Sequence, residues 1–405
     1  MCKVLVSRQA ILNVPNLRFP EFSGEWMSCQ LGKIASLSKG EGISKDQRSI
    51  NGNPCILYGE LYTTYSTEII DEVISKTNLP EKGLVKSKAN DVIIPASGET
   101  AIDISTARCV TRSDVFLGGD LNIIRLKGQD GKFFSYQLNG VRKKDIAKVA
   151  QGVSIVHLHG SDLATIQVNY PSIGEQRKIA SFLSLLDQRI AIQNRAIEQY
   201  ESLIKGIIDK WVKVLLSGKT VRFEQLYERA GEGGTPSTSI KEYYDGGEIP
   251  FVKIEDLSSM YLTKNKEYIT TEGLSKSSAW MIPEHSVIFS NGATIGSISI
   301  NTYPVTTKQG ILGIVPLKGV QTEYLYYLMQ SSYFSKEVHR IITEGTMKTA
   351  YLKDINSIIC PIPSPEIQSR MVSGLLALSE KVLLEGKIQR YLKDIKSTLL
   401  NQLFI

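Results

Sequence analysis

The 405-residue chain is long enough for two or three domains, and its 42% apolar content suffices to give each a core. A formal charge of +6, from 47 Lys and Arg against 41 Asp and Glu, permits contact with nucleic acid without demanding it. Cys2, Cys29, Cys55, Cys109 and Cys360 form no CxxC pair, and no apolar run approaches the ~18 to 20 residues of a membrane span; a reduced cytoplasmic protein, without disulfide or zinc framework and neither exported nor inserted, is expected.

Residues 1 to about 25 contain Pro15, Pro20 and, with Trp26, the aromatics Phe19 and Phe22, an extended lead-in expected to pack on the first domain. From Leu31 to Tyr170, short β-like runs at 55–58, 92–95, 121–126 and 165–170 alternate with turn chemistry, which predicts an α+β domain.

The stretch 171–211 reads differently. Ile179, Leu183, Leu186, Ile190, Ile197, Tyr200, Ile204, Ile207, Trp211 and Val214 alternate steps of four and three once Gln193 takes one position, the pattern of a coiled-coil seam. Gly174 opens the helix and Ser217 and Gly218 close it. At ~1.5 Å per residue it is a rod of about 65 Å, too long to bury its stripe against itself.

Residues 221–361 repeat the order of features seen in 31–170, and a second long helix follows. Gln176 matches Gln368, Leu183 matches Leu375, Leu186 matches Leu378, Ile190 matches Val382, Ile207 matches Leu399 and Trp211 matches Leu403, all 192 positions apart (368 − 176). Leu392 belongs to the same seam. Glu385, Gln389 and Lys396 fall in the seam frame while Leu384, Ile388, Tyr391 and Ile395 form a stripe one residue over, which predicts a local shift of the seam. In the domains, Leu31 and Ile34 match Phe223 and Leu226, Glu60 and Leu61 match Asp256 and Leu257, Val92 and Ile93 match Val287 and Ile288, and Leu121 to Gly128 match Leu312 to Gly319. The expected architecture is of α+β class: two tandem α/β domains separated by two long antiparallel coiled-coil helices, related by a pseudo-two-fold internal repeat. The expected boundaries are 1–170 for the first domain with its lead-in, 171–217 for the central helix, 218–362 for the second domain and 363–405 for the C-terminal helix. Taken alone, the repeat implies that two copies of residues 1–219 should pair through their seams.

Catalytic chemistry is not visible. Ser217, Gly218, Lys219 and Thr220 imitate the end of a P-loop, but Lys213 stands where its first glycine belongs and the run ends a helix, so it reads as a C-cap. His157, His159, His285 and His339 lack metal-ligand spacing and read as surface or hydrogen-bonded residues. No methyltransferase motif, glycine-rich cofactor loop or triad is present, and neither catalytic nor metal-binding residues are assigned.

The loops instead carry residues suited to phosphates and base edges. In the first domain these are Lys39, Lys45, Arg48, Tyr62, Thr63, Tyr65, Arg108 and Arg112, with a further basic cluster at Arg142, Lys143 and Lys144. In the second they are Thr235, Ser237, Lys253, Tyr261, Lys264 and Lys276, then Asn291, Thr294, Lys308, Gln309, Arg340 and Lys348. Three readings are open: a non-catalytic reader of DNA sequence, an enzyme with a cryptic active site, and a coiled-coil scaffold with protein-binding lobes.

The runs VPNLRFPEFSGEW (14–26), PSIGEQRKIASFLSLLDQRI (171–190), GGTPS (233–237) and PIPSPEIQ (361–368) resemble the DNA-specificity subunit of type I restriction-modification systems. The resemblance spans nearly the whole chain. It implies two target-recognition domains, each reading half of a split double-stranded DNA site, held apart by the two helices as a ruler. It further implies assembly with two methyltransferase subunits, which bind S-adenosylmethionine and methylate adenine, and with ATP- and Mg-dependent restriction subunits that act as nuclease and translocase; this chain would hold no cofactor. The closing run departs from the first repeat, with Ser364, Pro365 and Glu366 against Ser172, Ile173, Gly174 and Glu175, so the two helix starts present different surfaces.

Overall fold

The computed structural model describes residues 13–152, 154–342 and 348–405; Cys2 and the start of the lead-in lie outside the described residues. The chain forms two compact units, Met1–Asn194 with Lys387–Ile405, and Arg195–Gly386.

In the first unit, strands β1 (Ala35–Lys39), β2 (Ile69–Ile70), β3 (Asp91–Pro95), β4 (Arg108–Val110) and β5 (Leu121–Leu126) form one sheet in the order β1-β5-β3-β4-β2. All neighbours are antiparallel except β4 and β2, which run parallel. Successive residues point to opposite faces, and both faces are covered. Val92, Ile94, Cys109 and Ile124 enter a core shared with the long helices, while Ile93, Val110 and Ile123 enter a second core beneath a smaller sheet. This double burial is why the strand sequences read as continuous apolar runs.

The second unit repeats the plan. Its strands β6 (Tyr227–Glu232), β7 (Tyr261–Leu262), β8 (Val287–Ser290), β9 (Ile298–Asn301) and β10 (Ile311–Pro316) take the order β6-β10-β8-β9-β7, again with one parallel pair, β7 and β9. Val287, Phe289, Leu312 and Ile314 face one core, and Ile288 and Ile311 the other. Backbone bonds repeat as well: Leu31 N–H donates to Ile166 O and Phe223 N–H to Ile358 O, both at 2.9 Å. Glu60 accepts from Leu57 N–H and Asp256 from Lys253 N–H, again both at 2.9 Å.

The long helices are Ile173–Leu215 and Pro365–Gln402. The expected boundaries fall between secondary-structure elements, whereas the compact units divide both helices, because each helical segment packs on the core of its own unit. Ile179, Leu183 and Leu403 are buried in the first unit, where Leu186, Ile190, Leu392 and Leu399 are half-buried. There the two helices run antiparallel, since Asn194 meets Gln389 and Asp187 meets Lys396. In the second unit Leu375 is buried, while Ile197, Tyr200, Ile204, Ile207, Trp211, Leu378 and Val382 are half-buried.

Two expectations about the seam are corrected. Val214 is 62% exposed, because Ile208 and Val212, one position beyond Ile207 and Trp211, are the residues that this helix buries most deeply in the core of the second unit. The seam of the C-terminal helix does not shift: Tyr391 is 69% exposed, and Leu384 and Ile395 also face outward. Gln389 and Lys396 stay in frame because each has a polar partner, Asn194 for the first and Glu68 and Asp187 for the second.

The lead-in packs as expected. Trp26 is buried against Phe133 and Phe404, Phe19 stacks edge-on against Phe182 at 5.7 Å, and Arg18 grips buried Glu175 through two 2.8 Å bonds. The position 192 beyond Glu175 is Ile367, which is exposed, so this clasp belongs to one helix start and is a physical basis for their difference.

Candidate nucleic-acid interface

In both units, loops gather at one end of the main sheet. In the second, Gly233 N–H donates to Ile311 O at 2.9 Å, Asn291 N–H to Gly310 O at 3.0 Å, and Ala350 N–H to Asn291 O at 2.9 Å. The corresponding bonds in the first unit run from Gly40 to Leu121, Ala96 to Asp120, and Leu158 to Ala96, at 2.8, 2.6 and 2.9 Å. The GGTPS run has its glycines for a steric reason: a Cβ at Gly233 would collide with the Thr307 carbonyl, and one at Gly234 with the backbone of Ser278 and Ala279.

This scaffold sorts the second-domain candidates. Ser237, Lys276, Thr294, Lys308, Gln309 and Lys348 are exposed on the gathered loops or beside them. Thr235 is half-buried and receives Gln309 N–H at 3.3 Å. Asn291 is corrected from contact to support: it is 0% exposed, and its side-chain amide donates to Ala350 O at 3.1 Å, which fixes the loop. Lys253 is half-buried and paired with Glu267. Tyr261, Lys264 and Arg340 stand apart. Tyr261 pairs with Ile300, opposite the start of β8, and donates to Glu323; Lys264 follows it, and Arg340 is held by Glu337 at 2.5 Å on a surface helix.

In the first unit Lys39 and Lys45 are exposed on the segment leaving β1, and Lys39 lines a shallow groove of about 380 Å³ with Asn122 and Gly160. Arg48 is exposed but leans on Glu60 at 3.6 Å. Thr63 is exposed and Tyr62 half-buried near Gly98, where burial and then the neighbouring Tyr58 and acids push its phenol above its ordinary pKa. Arg112 lies at the other end of the sheet, since Val110 pairs with Asp91 at the start of β3.

Four first-domain candidates are corrected. Tyr65 is buried, and its hydroxyl accepts from Ile74 N–H at 3.2 Å. Arg108 is buried and donates to the carbonyls of Tyr65 and Ala107, with burial holding its pKa below the usual value. Arg142 is half-buried and donates to Ile405 O at 2.7 Å, and Lys143 reaches Thr106 at 3.3 Å with its pKa lowered by burial and by Arg108. Lys144 alone of that basic cluster is exposed. Arg108, Arg142 and Lys143 spend their hydrogen bonds inside the protein.

The gathered loops also contain two histidines that the sequence offered as surface or hydrogen-bonded residues and not as contacts. His157 and His159 are exposed, with rings stacked 6.5 Å apart, on the segment equivalent to Lys348 and Thr349. The 192-residue offset carries His157 onto Thr349, next to the candidate Lys348. Among the described residues no cluster of His, Cys, Asp or Glu could hold a metal ion, and no helix is long and apolar enough to cross a membrane.

Comparison with known proteins agrees with this plan. A family model described as the type I restriction modification DNA specificity domain matches twice, at residues 23–202 and 219–394. The chain is 31% identical over 187 residues to the MjaIX specificity subunit of Methanocaldococcus jannaschii, covering 45% of this chain and 43% of that one. It is 30% identical over 176 residues to the HindI specificity subunit of Haemophilus influenzae, covering 42% and 38%. These alignments therefore span less than half of either relative. The MjaVIII specificity subunit of M. jannaschii aligns over 96% of this chain and 93% of its own length at 21% identity. In fold, a crystal structure of the type I S subunit from M. genitalium superposes with a TM-score of 0.60 at 18% identity, covering 97% of this chain and 99% of that one. With the family match in both halves, on units that share strand order and hydrogen bonding, the chain belongs to the type I restriction modification DNA specificity family.

Proposed function

We propose that this chain is the sequence-reading subunit of a type I restriction-modification complex. Each unit reads one half of a bipartite duplex site, and the chain itself does no chemistry. The observation that carries this reading is the contrast within the repeat: the same scaffold and backbone bonds recur, while the exposed loop residues differ, with Lys39, Lys45 and His157 on one and Ser237, Lys308 and Gln309 on the other. Two unlike reading heads on one framework suit an asymmetric split site. Methylation would come from two partner subunits carrying S-adenosylmethionine, and cleavage from ATP- and Mg-dependent restriction subunits. The chain would act in the cytoplasm, where those partners and the DNA are.

The test is methylation mapping of genomic DNA from cells that express this chain with a type I modification subunit. One bipartite adenine-methylated motif is expected, absent when this chain is omitted. Methylation that does not depend on the chain, or purified chain that binds S-adenosylmethionine by itself, would overturn the reading.

A further inference from the structure

The two units differ sharply at one buried corner. In the first, Lys396 Nζ lies 2.5 Å from Glu68 Oε2 and 2.6 Å from Asp187 Oδ1, and Tyr136 donates to Asp187 Oδ2 at 2.6 Å. All four side chains are largely or fully buried. Arg108 and Lys143 also act on this corner through their charge, but Arg108 gives its hydrogen bonds to main-chain carbonyls and Lys143 reaches Thr106, so among the described residues Lys396 is the cation that meets Glu68 and Asp187 directly. Burial opposes the charge of Lys396, but Glu68 and Asp187 outweigh it and hold the amine above its ordinary pKa.

The repeat identifies the same corner in the second unit. Tyr327 takes the place of Tyr136 and meets Ser379 at 3.1 Å, where Asp187 would stand. Met260 takes the place of Glu68: its carbonyl accepts from Ile300 N–H as that of Glu68 accepts from Cys109 N–H, and Ile300 and Cys109 share one register in their sheets. The position 192 before Lys396 is Ile204, which packs on the core of the second unit. One corner is ionic and its copy is neutral.

We infer that the Lys396, Glu68, Asp187 and Tyr136 cluster is a pairing address: it seats the chain's own C-terminal helix on the first unit and rejects the central helix of a second copy. The apolar seam cannot make that distinction, because Leu399, Leu400, Leu403 and Phe404 correspond to Ile207, Ile208, Trp211 and Val212, apolar at every position. A second copy would present Ile204 to Glu68 and Asp187 and leave two carboxylates without their ammonium partner, a heavy penalty in a buried site. The structure thus argues against ready self-pairing of the first half, which the repeat alone suggested.

The experiment uses the full chain with a protease site placed at exposed Ser217 and Gly218, cut after folding. The nicked protein is mixed with an isotope-labelled copy, and native mass spectrometry counts which pieces pair. Wild type is expected to hold amino-terminal pieces only with carboxy-terminal pieces. Ile204→Lys, which supplies the missing ammonium, should make pairs of amino-terminal pieces appear. The triple variant Glu68→Met, Asp187→Ser, Lys396→Ile copies the neutral corner and should raise such pairs from undetectable to a fraction comparable with the native pairing. It also decides the matter if Ile204→Lys does not fold. Wild-type pieces that sort without preference, or a triple variant as exclusive as wild type, would overturn the inference.

Discussion

Gln176 and Gln368, 192 positions apart, make the same bonds in their separate units. Gln176 Oε1 accepts from Asp130 N–H at 3.0 Å and its amide donates to Pro171 O at 2.8 Å; Gln368 Oε1 accepts from Gln321 N–H at 2.9 Å and its amide donates to Pro363 O at 3.0 Å. Both are buried, and each ties the first turn of a long helix to the residue that leads into the helix under the main sheet. Either glutamine changed to alanine leaves a main-chain N–H without its partner, at a cost of about 1 to 3 kcal/mol. Urea melts with hydrogen exchange should show Gln176→Ala loosening only the first unit and Gln368→Ala only the second.

The faces of the helices separate in the same kind of experiment. Leu183→Ala should lose ~2 to 5 kcal/mol, and Leu183→Asp with Ile190→Asp should abolish folding, since buried seam positions cannot hold unpaired charge. Tyr391→Lys and Leu384→Lys should change stability by no more than about 0.5 kcal/mol, because both side chains already face outward. A large loss at Tyr391 would mean that the shifted stripe, and not the polar frame, carries the pairing.

The repeat, the long helices and the apolar strands were legible in the sequence because they rest on periodicity, which burial imposes directly. Polar positions were harder to read. Lys396 looked like a break in the seam, yet its partners Glu68 and Asp187 are 328 and 209 positions away (396 − 68, 396 − 187), so only the fold reveals why a lysine is tolerated there. Arg108 and Asn291 failed as surface candidates for the same reason: their types suit nucleic acid, but the backbone carbonyls that hold them come from distant loops. Lys308 and Gln309 needed no partner to be read correctly as exposed, since a turn leading into a buried strand leaves its polar residues in water.

Buried thiols set an alkaline limit on stability. Burial pushes Cys109 and Cys360 up to about 12 and Cys55 up to about 11, against a free value near ~8.5. Above that free value the unfolded chain releases thiol protons that the folded chain keeps, so unfolding becomes easier as pH rises. The urea midpoint should therefore fall between about pH 8.5 and 10.5, and Cys109→Ala and Cys360→Ala, whatever packing they lose at neutral pH, should make that fall shallower. An unchanged slope in the double variant would assign the decline to other groups.

The loops make the most specific demand on the proposed function. Lys308 is an exposed cation, so Lys308→Ala should weaken binding to all duplexes alike and lower the salt slope by about 1, the mark of one lost phosphate contact. Gln309 is exposed, and its backbone is anchored on Thr235, which suits a side-chain amide to reading adenine. Gln309→Ala should cost ~1 to 3 kcal/mol and relax one base position. Because it belongs to one unit, the relaxed position must lie in one half of the bipartite motif, with the other half read as strictly as before. Lys45→Ala in the other unit should leave that relaxed half untouched. Binding titrations over a salt series, paired with methylation mapping of each variant, distinguish these outcomes. A Gln309 variant that relaxed bases in both halves would contradict the assignment of one reading head to each unit.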